Sequence, residues 1–357
     1  MDETPVTLFY FLIKETGDLL KDDEIKTDFE TFNKEKVYPL LEQEQRAVRP
    51  KYVLSFVGLT NVGKSTLITA LLDYKKIAPY ENRPTTAIPV EYVFAPTWKI
   101  KILDYSFNET EESFQKEGEL VEAVKKHVLY ADSKNKQNTL WVTVEGPFKI
   151  LEKGLVLADT PGFGDAQIDD DEQKRKNRMQ KLEKFIKDRV DSIYFCVAAN
   201  DMNIRDEEKN FYNNIRYLCN HIVVNKWEFS EDNSINEQDI YEYKKRYSSL
   251  FPGLEFIFVN AKNAIIGIKD EDVTVLKKSN IDYLKSIIEK YSTPEGRIKI
   301  VHDALVKSWK NFNRYIEIRH NIKNIPWRRD SLKRFFYICK RNKSLELIAR
   351  DIERILR

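Results

Sequence analysis

Residues 58–66 read Gly58-Leu-Thr-Asn-Val-Gly63-Lys64-Ser65-Thr66, a complete loop of the form G-x-x-x-x-G-K-S. The glycines permit a tight turn in which consecutive backbone N–H groups point at phosphate oxygens. A strand-like run, 52–57, precedes the loop, and a helix-like run, 67–72, follows it. The loop therefore predicts a site for a nucleoside triphosphate, with Lys64 on the phosphates and the Ser65 hydroxyl on Mg²⁺. The predicted phosphate-binding residues are Gly58, Thr60, Asn61, Val62, Gly63, Lys64, Ser65 and Thr66.

The bulk composition excludes several other classes of protein. Of the 357 residues, 42% are hydrophobic, which is enough for a sizeable core, and no apolar run reaches the roughly 20 residues of a membrane span. The start of the chain is acidic, where a secretory signal would be basic. The three cysteines and four histidines show no metal-ligand or disulfide spacing. We therefore expect a cytoplasmic protein without structural disulfides.

The net charge of +2 is unevenly distributed along the chain. Residues 296–357 contain 17 Lys/Arg and 6 Asp/Glu, a net charge of +11, which leaves −9 for the remainder. A solvated helical face would account for such a basic tail. That reading is favoured, and contact with an anionic membrane surface, with nucleic acid or with an acidic protein is the alternative.

Apolar spacing divides the chain into three segments. Residues 1–48 have helical periodicity, and 294–357 have it again after Thr293-Pro-Glu-Gly296. Between them, residues 49–293 alternate strand-like and helix-like runs, which predicts an α/β/α sandwich around a mostly parallel sheet. The predicted strands are 52–57, 88–94, 99–104, 139–145, 154–158, 192–198, 221–225 and 255–259. The predicted helices within this segment are 64–74, 112–128, 171–190, 205–219 and 236–250.

Two further segments fit the chemistry of a triphosphate and its metal. In Leu155-Val-Leu-Ala-Asp159-Thr-Pro-Gly162, an apolar strand ends in a carboxylate suited to holding Mg²⁺ through water. The N–H of Gly162 is placed to bind a γ-phosphate and release it after hydrolysis. Thr86, in Arg83-Pro-Thr85-Thr86, lies 22 residues after Lys64 and is predicted to coordinate Mg²⁺ and to close over the γ-phosphate.

Two late segments resemble the base-reading motifs of GTPases. Residues 225–228, Asn225-Lys226-Trp227-Glu228, resemble N/T-K-x-D, whose carboxylate accepts hydrogen bonds from guanine N1–H and N2–H₂. Here the acid is Glu228, one methylene longer than the usual Asp, so looser base specificity is a risk. Residues 260–262, Asn260-Ala261-Lys262, resemble the S-A-K loop that backs the base. Adenine cannot supply the same hydrogen bonds, so the expected nucleotide is GTP.

Two positions bear on hydrolysis. Phe163 stands where small GTPases carry the glutamine that orients the attacking water, and an apolar side chain cannot do that. Asn61 stands where some dimerisation-activated GTPases have an asparagine that holds K⁺ beside the phosphates. The predicted catalytic residues are Lys64, Ser65, Thr86 and Asn61.

Taken in order, these segments resemble the GTPase domain of the dynamin superfamily. Asp159 lies 73 residues after Thr86, which leaves room for insertions of the kind found in dynamins. One helix before the domain and two after it would match their helical bundle. The resemblance implies a P-loop GTPase fold, GTP hydrolysis with Mg²⁺, and dimerisation through the GTPase face. Because the chain ends soon after these helices, no full stalk is expected, and any membrane contact would be peripheral.

Two other functions stay open from the sequence. Asn61 and the basic tail also fit a GTPase associated with RNA or ribosomes, although no RNA-binding module is recognisable. Glu228 and Phe163 also fit a switch or scaffold that binds the nucleotide without hydrolysing it.

Overall fold

The computed structural model describes residues 4–74, 77, 88–128, 139–162, 172–199, 206–228, 237–251, 254–322 and 325–356. They fall into two compact units. Residues 51–293 form an α/β unit, and residues 1–50 together with 294–357 form a helical unit.

The elements are numbered in chain order. The strands are β1 (Tyr52–Gly58), β2 (Val90–Phe94), β3 (Trp98–Asp104), β4 (Glu109–Phe114), β5 (Thr139–Gly146), β6 (Leu155–Asp159), β7 (Ser192–Ala198), β8 (Cys219–Asn225) and β9 (Glu255–Phe258). The helices are α1 (Pro5–Leu19), α2 (Asp23–Phe32), α3 (Tyr38–Ala47), α4 (Lys64–Leu71), α5 (Glu117–Val128), α6 (Glu172–Arg189), α7 (Asp206–Ile215), α8 (Glu237–Tyr247), α9 (Ala261–Asp270), α10 (Val273–Lys278), α11 (Ile281–Glu289), α12 (Pro294–His320), α13 (Arg329–Arg341) and α14 (Glu346–Leu356).

The described strands of the α/β unit form one sheet in the order β4-β3-β5-β2-β6-β1-β7-β8-β9. From β6 to β9 every pair is parallel, so the carboxyl ends of β6, β1, β7 and β8 share one edge. β2 runs antiparallel to β6 and parallel to β5, and β3 runs antiparallel to both β5 and β4. The predicted α/β fold with a mostly parallel sheet is confirmed.

The central strands are rich in hydrophobic residues and are buried on both faces, as is usual for parallel strands covered by helices. Every residue of β1, β6 and β7 is buried. One apolar cluster joins β7 and β8 to α6 and α7 through Phe195, Ile222, Ile186 and Phe211. This packing fixes the strand ends from which the site loops emerge.

The sequence prediction of a helix over 112–128 is wrong at its start. Residues 109–114 form β4, and α5 begins at Glu117. β4 is acidic and exposed, but it pairs with β3, where Lys99 Nζ lies 2.7 Å from Glu111 Oε1. Cross-strand ion pairing and the backbone ladder therefore override its weak strand propensity.

In the helical unit, three helices precede the α/β unit where the sequence predicted one, and three follow it where two were predicted. Asp22 begins α2 by accepting hydrogen bonds from the N–H groups of Glu24 and Ile25, and a π-helical turn, Asn33–Val37, joins α2 to α3. Aromatic side chains fill the core, with Phe32 stacked on Phe312 at 4.0 Å between ring centroids. Within the described residues, no helix has the length and apolarity needed to cross a bilayer.

Candidate nucleotide-binding site

The predicted phosphate loop connects the end of β1 to the start of α4. Gly63 has φ +87°, a left-handed conformation that favours glycine, and it directly precedes the helix. A Cβ on Gly58 would lie 2.2 Å from the carbonyl oxygen of Cys196 on β7, so the neighbouring strand leaves no room for a side chain. The packing of β1 against β7 thus places the loop at the amino end of α4, where backbone N–H groups are suited to bind an anion.

Lys64 begins α4 and is buried, with 6% of its surface exposed. Its Nζ donates hydrogen bonds to the carbonyls of Gly58 (3.1 Å) and Leu59 (2.8 Å). Burial lowers the pKa of the ammonium, while the carboxylate of Asp159 acts in the opposite direction. The loop therefore wraps around a buried cation held by its own carbonyls.

Ser65 and Asp159 meet beside this lysine. The Ser65 Oγ donates to Asp159 Oδ2 at 2.6 Å, and both side chains are buried. A hydroxyl and a carboxylate are oxygen ligands of the kind that Mg²⁺ prefers. The side chains predicted to hold the metal at Ser65 and Asp159 are therefore in contact, and they fit a magnesium ion. Thr86, the third predicted ligand, lies outside the described residues.

The segment after β6 returns to the phosphate loop. A Cβ added to Gly162 would lie 2.5 Å from Thr60 Cα and 2.7 Å from Thr60 Oγ1. Thr160 is buried, and its Oγ1 donates to the Phe56 carbonyl at 2.8 Å. Gly162 is thus held against the loop, as its predicted contact with a γ-phosphate requires.

Asn225, at the end of β8, connects the phosphate loop to the second predicted base-reading segment. Its Nδ2 donates to the carbonyls of Val62 (2.8 Å) and Gly63 (3.4 Å). Its Oδ1 accepts a hydrogen bond from the N–H of Ala261 at 3.0 Å. One buried amide therefore fixes the distance between the two loops that would hold the phosphates and the base.

The two base-reading segments also support each other. Asn260 caps α9 by accepting from the Asn263 N–H, and its Nδ2 donates to the Trp227 carbonyl at 3.0 Å. The Trp227 N–H donates in turn to the Val259 carbonyl. Lys226 has φ +60°, so the chain turns sharply between buried Asn225 and the exposed residues that follow.

Comparison with known proteins agrees with this geometry. The sequence model of the dynamin family matches residues 54–224, from β1 to β8.

Residues 54–224 thus carry the sequence pattern of the dynamin family.

One solved structure of an oligomerised bacterial dynamin pair resembles the chain in fold, and a second structure of such a pair also matches it. They are 16% and 18% identical in sequence, with TM-scores of 0.51 and 0.47, and in each case the match covers 90% of this chain. The chain spans 58% of the length of each of those proteins. No curated protein matches the chain in sequence.

The rest of the predicted site is exposed or lies outside the described residues. Within the described part of the GTPase domain, the side chains of Lys226, Glu228, Lys262 and Asn61 are exposed and show no hydrogen bond or ion pair. Asn61 has φ +62°, which turns the backbone at the outer end of the loop. Phe163, like Thr86, lies outside the described residues. The structure thus brings the predicted phosphate-binding residues together and leaves the carboxylate of Glu228, the predicted base-reading residue, at the surface.

Sequence reasoning missed two supports of this site. The Trp227 ring packs edge-on against Phe258, with 4.6 Å between ring centroids, beneath the base-reading segment. Asn280 Nδ2 donates to the Phe258 carbonyl at 2.8 Å from the start of α11. Trp227 could have been predicted to support the site, because an aromatic residue within Asn225-Lys226-Trp227-Glu228 is rarely fully exposed. Asn280 could not, because it is distant in sequence from these residues and lies in no recognisable motif.

Proposed function

We propose that this protein binds GTP and hydrolyses it to GDP and phosphate with Mg²⁺. The observation that carries the proposal is the buried contact between Ser65 Oγ and Asp159 Oδ2 beside the Lys64 ammonium. Two separate motifs supply the groups that phosphoryl transfer needs, the phosphate loop giving the lysine and the hydroxyl and the end of β6 giving the carboxylate, and the fold brings them to one edge of the sheet.

Each residue has a role that follows from its position. The N–H groups at the start of α4 and the Lys64 ammonium neutralise phosphate oxygens. Ser65, Asp159 and Thr86 are the proposed ligands of the magnesium ion, which supplies charge neutralisation when bound. The Gly162 N–H responds to the presence or loss of the γ-phosphate. Asn61 is the proposed ligand of a monovalent cation, K⁺, because Phe163 cannot orient water.

Selection of guanine is assigned to the segment after β8. Asn225, Lys226 and Glu228, with Asn260, Ala261 and Lys262, are the proposed base-binding residues. Support comes from Asn225, whose amide fixes the base-binding loops to the phosphate loop. The exposed Glu228 carboxylate accepts from guanine in this proposal, and its extra methylene would loosen the selection.

Self-association through the GTPase face is the third part of the proposal. The solved structures that resemble this fold are of an oligomerised bacterial dynamin pair that senses and tethers membranes. We extend only the self-association to this chain, as a nucleotide-dependent dimer that stimulates hydrolysis, acting in the cytoplasm and, where it meets membranes, at their periphery.

The test is turnover of GTP and of ATP over a range of protein concentrations, in potassium and in sodium buffer. We expect GTP-selective turnover that rises faster than linearly with protein in potassium. Lys64→Ala should lose at least about a hundredfold in rate, because the buried charge on the phosphates is removed. Lys290→Ala, on the exposed surface after α11, is the matched control and should turn over normally.

The outcomes separate this proposal from its alternatives. GTP binding without turnover at any concentration would identify a non-hydrolysing switch or scaffold. Turnover that rises only on addition of RNA or ribosomes would identify an RNA-associated GTPase. Equal turnover in sodium and potassium, unchanged in Asn61→Ala, would remove the cation role of Asn61 alone.

A further inference from the structure

A groove in the helical unit runs between α1 and α2 and continues along the π-helical turn that follows α2. Its volume is about 560 Å³, which lies within the range of roughly 300–1,000 Å³ that is usual for sites of small molecules. One side of each helical segment lines it, and the residues that matter below are Tyr10, Ile13, Gly17, Phe29, Asn33 and Tyr38. None of them takes part in the nucleotide site.

The local sequence gives this groove its shape. At one end, a Cβ on Gly17 would lie 3.1 Å from the Phe29 Cβ, so the glycine lets the two helices approach closely. At the other end, the π-helical turn Asn33–Val37 comes directly before Tyr38 and Pro39. A proline within a helix has no N–H to donate and its ring crowds the preceding turn, which a wider π turn relieves. Such turns are rare, and they often occur at functional sites.

Asn33 lies at the floor of the groove and has an unused hydrogen-bond acceptor. The residue is only 7% exposed, and its Oδ1 has no hydrogen-bond partner among the residues that the structure describes. Its Nδ2 faces the Tyr10 carbonyl at 3.4 Å. Because that carbonyl can only accept, turning the amide over would leave the oxygen facing another acceptor. A buried acceptor without a donor costs folding free energy, so the oxygen points to an N–H or O–H group from outside the chain.

Both signs of charge line the groove in equal number. Lys14 and Asp18 come from α1, Glu30 comes from α2 and Lys34 comes from the π-helical turn, and all of these side chains are exposed. The lining therefore has no net charge and produces no field that would attract a polyanion or a polycation. A ligand without net charge complements it best.

We propose that this groove binds a small aromatic molecule that has no net charge and carries a ring N–H or O–H group. The ring packs on Ile13 and Phe29, and its N–H or O–H donates to the Asn33 Oδ1. Because the oxygen is shielded from water, a hydrogen bond formed there is strong. Lys34 and Tyr38 are exposed neighbours of the amide and can turn aside to admit the ring, since exposed side chains rotate within nanoseconds.

Two probes of nearly identical shape test the hydrogen bond. Indole carries a ring N–H, whereas benzothiophene has a sulfur atom in its place and cannot donate. The affinity of the full chain for each probe is measured by saturation-transfer NMR without nucleotide. The readout is the ratio of the two affinities, because a change of that ratio between variants cancels the difference in hydrophobicity between the probes. Asn33→Leu should lower the ratio of indole to benzothiophene affinity by about fivefold or more, because the buried acceptor is lost.

A second variant tests the groove without touching the core. Tyr38→Ala removes a ring that is 50% exposed, and it should weaken the binding of both probes by a fewfold. Tyr337→Ala is the matched control, because this tyrosine of α13 is 58% exposed and does not line the groove. It should bind both probes like the parent protein.

Several outcomes would overturn the proposal. They are an unchanged affinity ratio in Asn33→Leu, a parent protein that binds neither probe, and equal losses in the two tyrosine variants. Self-association of the nucleotide-free protein that is lost in Tyr38→Ala and kept in Tyr337→Ala would assign the groove to a second copy of the chain instead. Because the probes are measured without nucleotide, failure of this proposal leaves the proposed GTPase activity untouched.

Discussion

Lys64 and Lys340 are both cations, but their surroundings in the molecule are opposite. Lys64 is buried and held by two backbone carbonyls, and its loop is fixed by Asn225 and by the neighbouring strand. Lys340 is exposed on a helix that presents further cations and little else. Lys64 is suited to act through its fixed position, whereas exposed cations such as Lys340 can act only through their number.

This difference has a physical consequence for substitutions. In a buried network of hydrogen bonds, substituting one residue removes several interactions, because the donors and acceptors that remain have lost their partners and cannot reach water. Exposed charges act almost independently, and each contributes a small amount that salt reduces. The predictions below test that contrast, beginning with the change that should cost most.

Gly58→Ala should damage the nucleotide site most. The new Cβ would lie 2.2 Å from the Cys196 carbonyl oxygen, so one of the two central strands must move. We expect a loss of about 3 kcal/mol or more in the free energy of unfolding, measured by urea denaturation. Gly118→Ala in α5 is the control, because its Cβ meets nothing within 4 Å, and it should leave stability unchanged or raise it by up to about 1 kcal/mol. Equal stability of the two variants would mean that β1 and β7 are not packed as described.

Asn225→Asp is the next largest change. The acid can still accept from the Ala261 N–H, but its second oxygen faces the Val62 carbonyl where the amide donated a hydrogen bond. The loss of that bond and the new repulsion should cost about 2 kcal/mol of stability and weaken GTP binding. Asn311→Asp, exposed on α12, is the control. If calorimetry found full GTP affinity in Asn225→Asp, the link between the two loops would not matter for binding.

The phosphate side of the site was predictable because its chemistry is local in sequence. The residues from Gly58 to Thr66 are adjacent, and Asp159 and Asn225 each follow a clearly apolar strand, so parallel strands with a common edge bring them together. The links between segments were not predictable in detail. Asn225 and Val62, which are joined by a hydrogen bond, are 163 residues apart in sequence. No sequence motif near Asn280 predicts its hydrogen bond to the Phe258 carbonyl.

For the fold, too, the locally encoded elements were predictable from the sequence, and the pairing between distant elements was not. The apolar strands β1, β6 and β7 coincide with their predicted ranges within two residues, because burial on both faces produces continuous apolar runs. β4 was missed because its strand conformation depends on pairing with β3 rather than on its own residues. The antiparallel direction of β2 against β6 could not be predicted from the sequence either, because strand direction depends on the connections between strands and not on their composition.

A smaller effect is expected at Glu228, the proposed base-reading residue, because its side chain is exposed and has no fixed partner among the described residues. Glu228→Ala should reduce the preference for GTP over ATP by about tenfold or more, since two hydrogen bonds to guanine are lost. Competition of both nucleotides for a fluorescent GTP analogue measures the ratio. Glu228→Asp should keep or increase the preference, because it restores the usual motif. An unchanged ratio in Glu228→Ala would place base recognition elsewhere in the domain.

The smallest effect should come from the exposed cations of α13, in the variant Lys333→Gln with Lys340→Gln. Both side chains are exposed and show no ion pair within the described residues, so the substitution removes mutual repulsion and one long contact between Lys340 Nζ and the Phe336 ring, 5.9 Å from its centroid. We expect the free energy of unfolding to change by less than about 0.5 kcal/mol, in the direction of greater stability if it moves at all. A loss of about 2 kcal/mol in urea denaturation would show that these lysines hold the helical unit together.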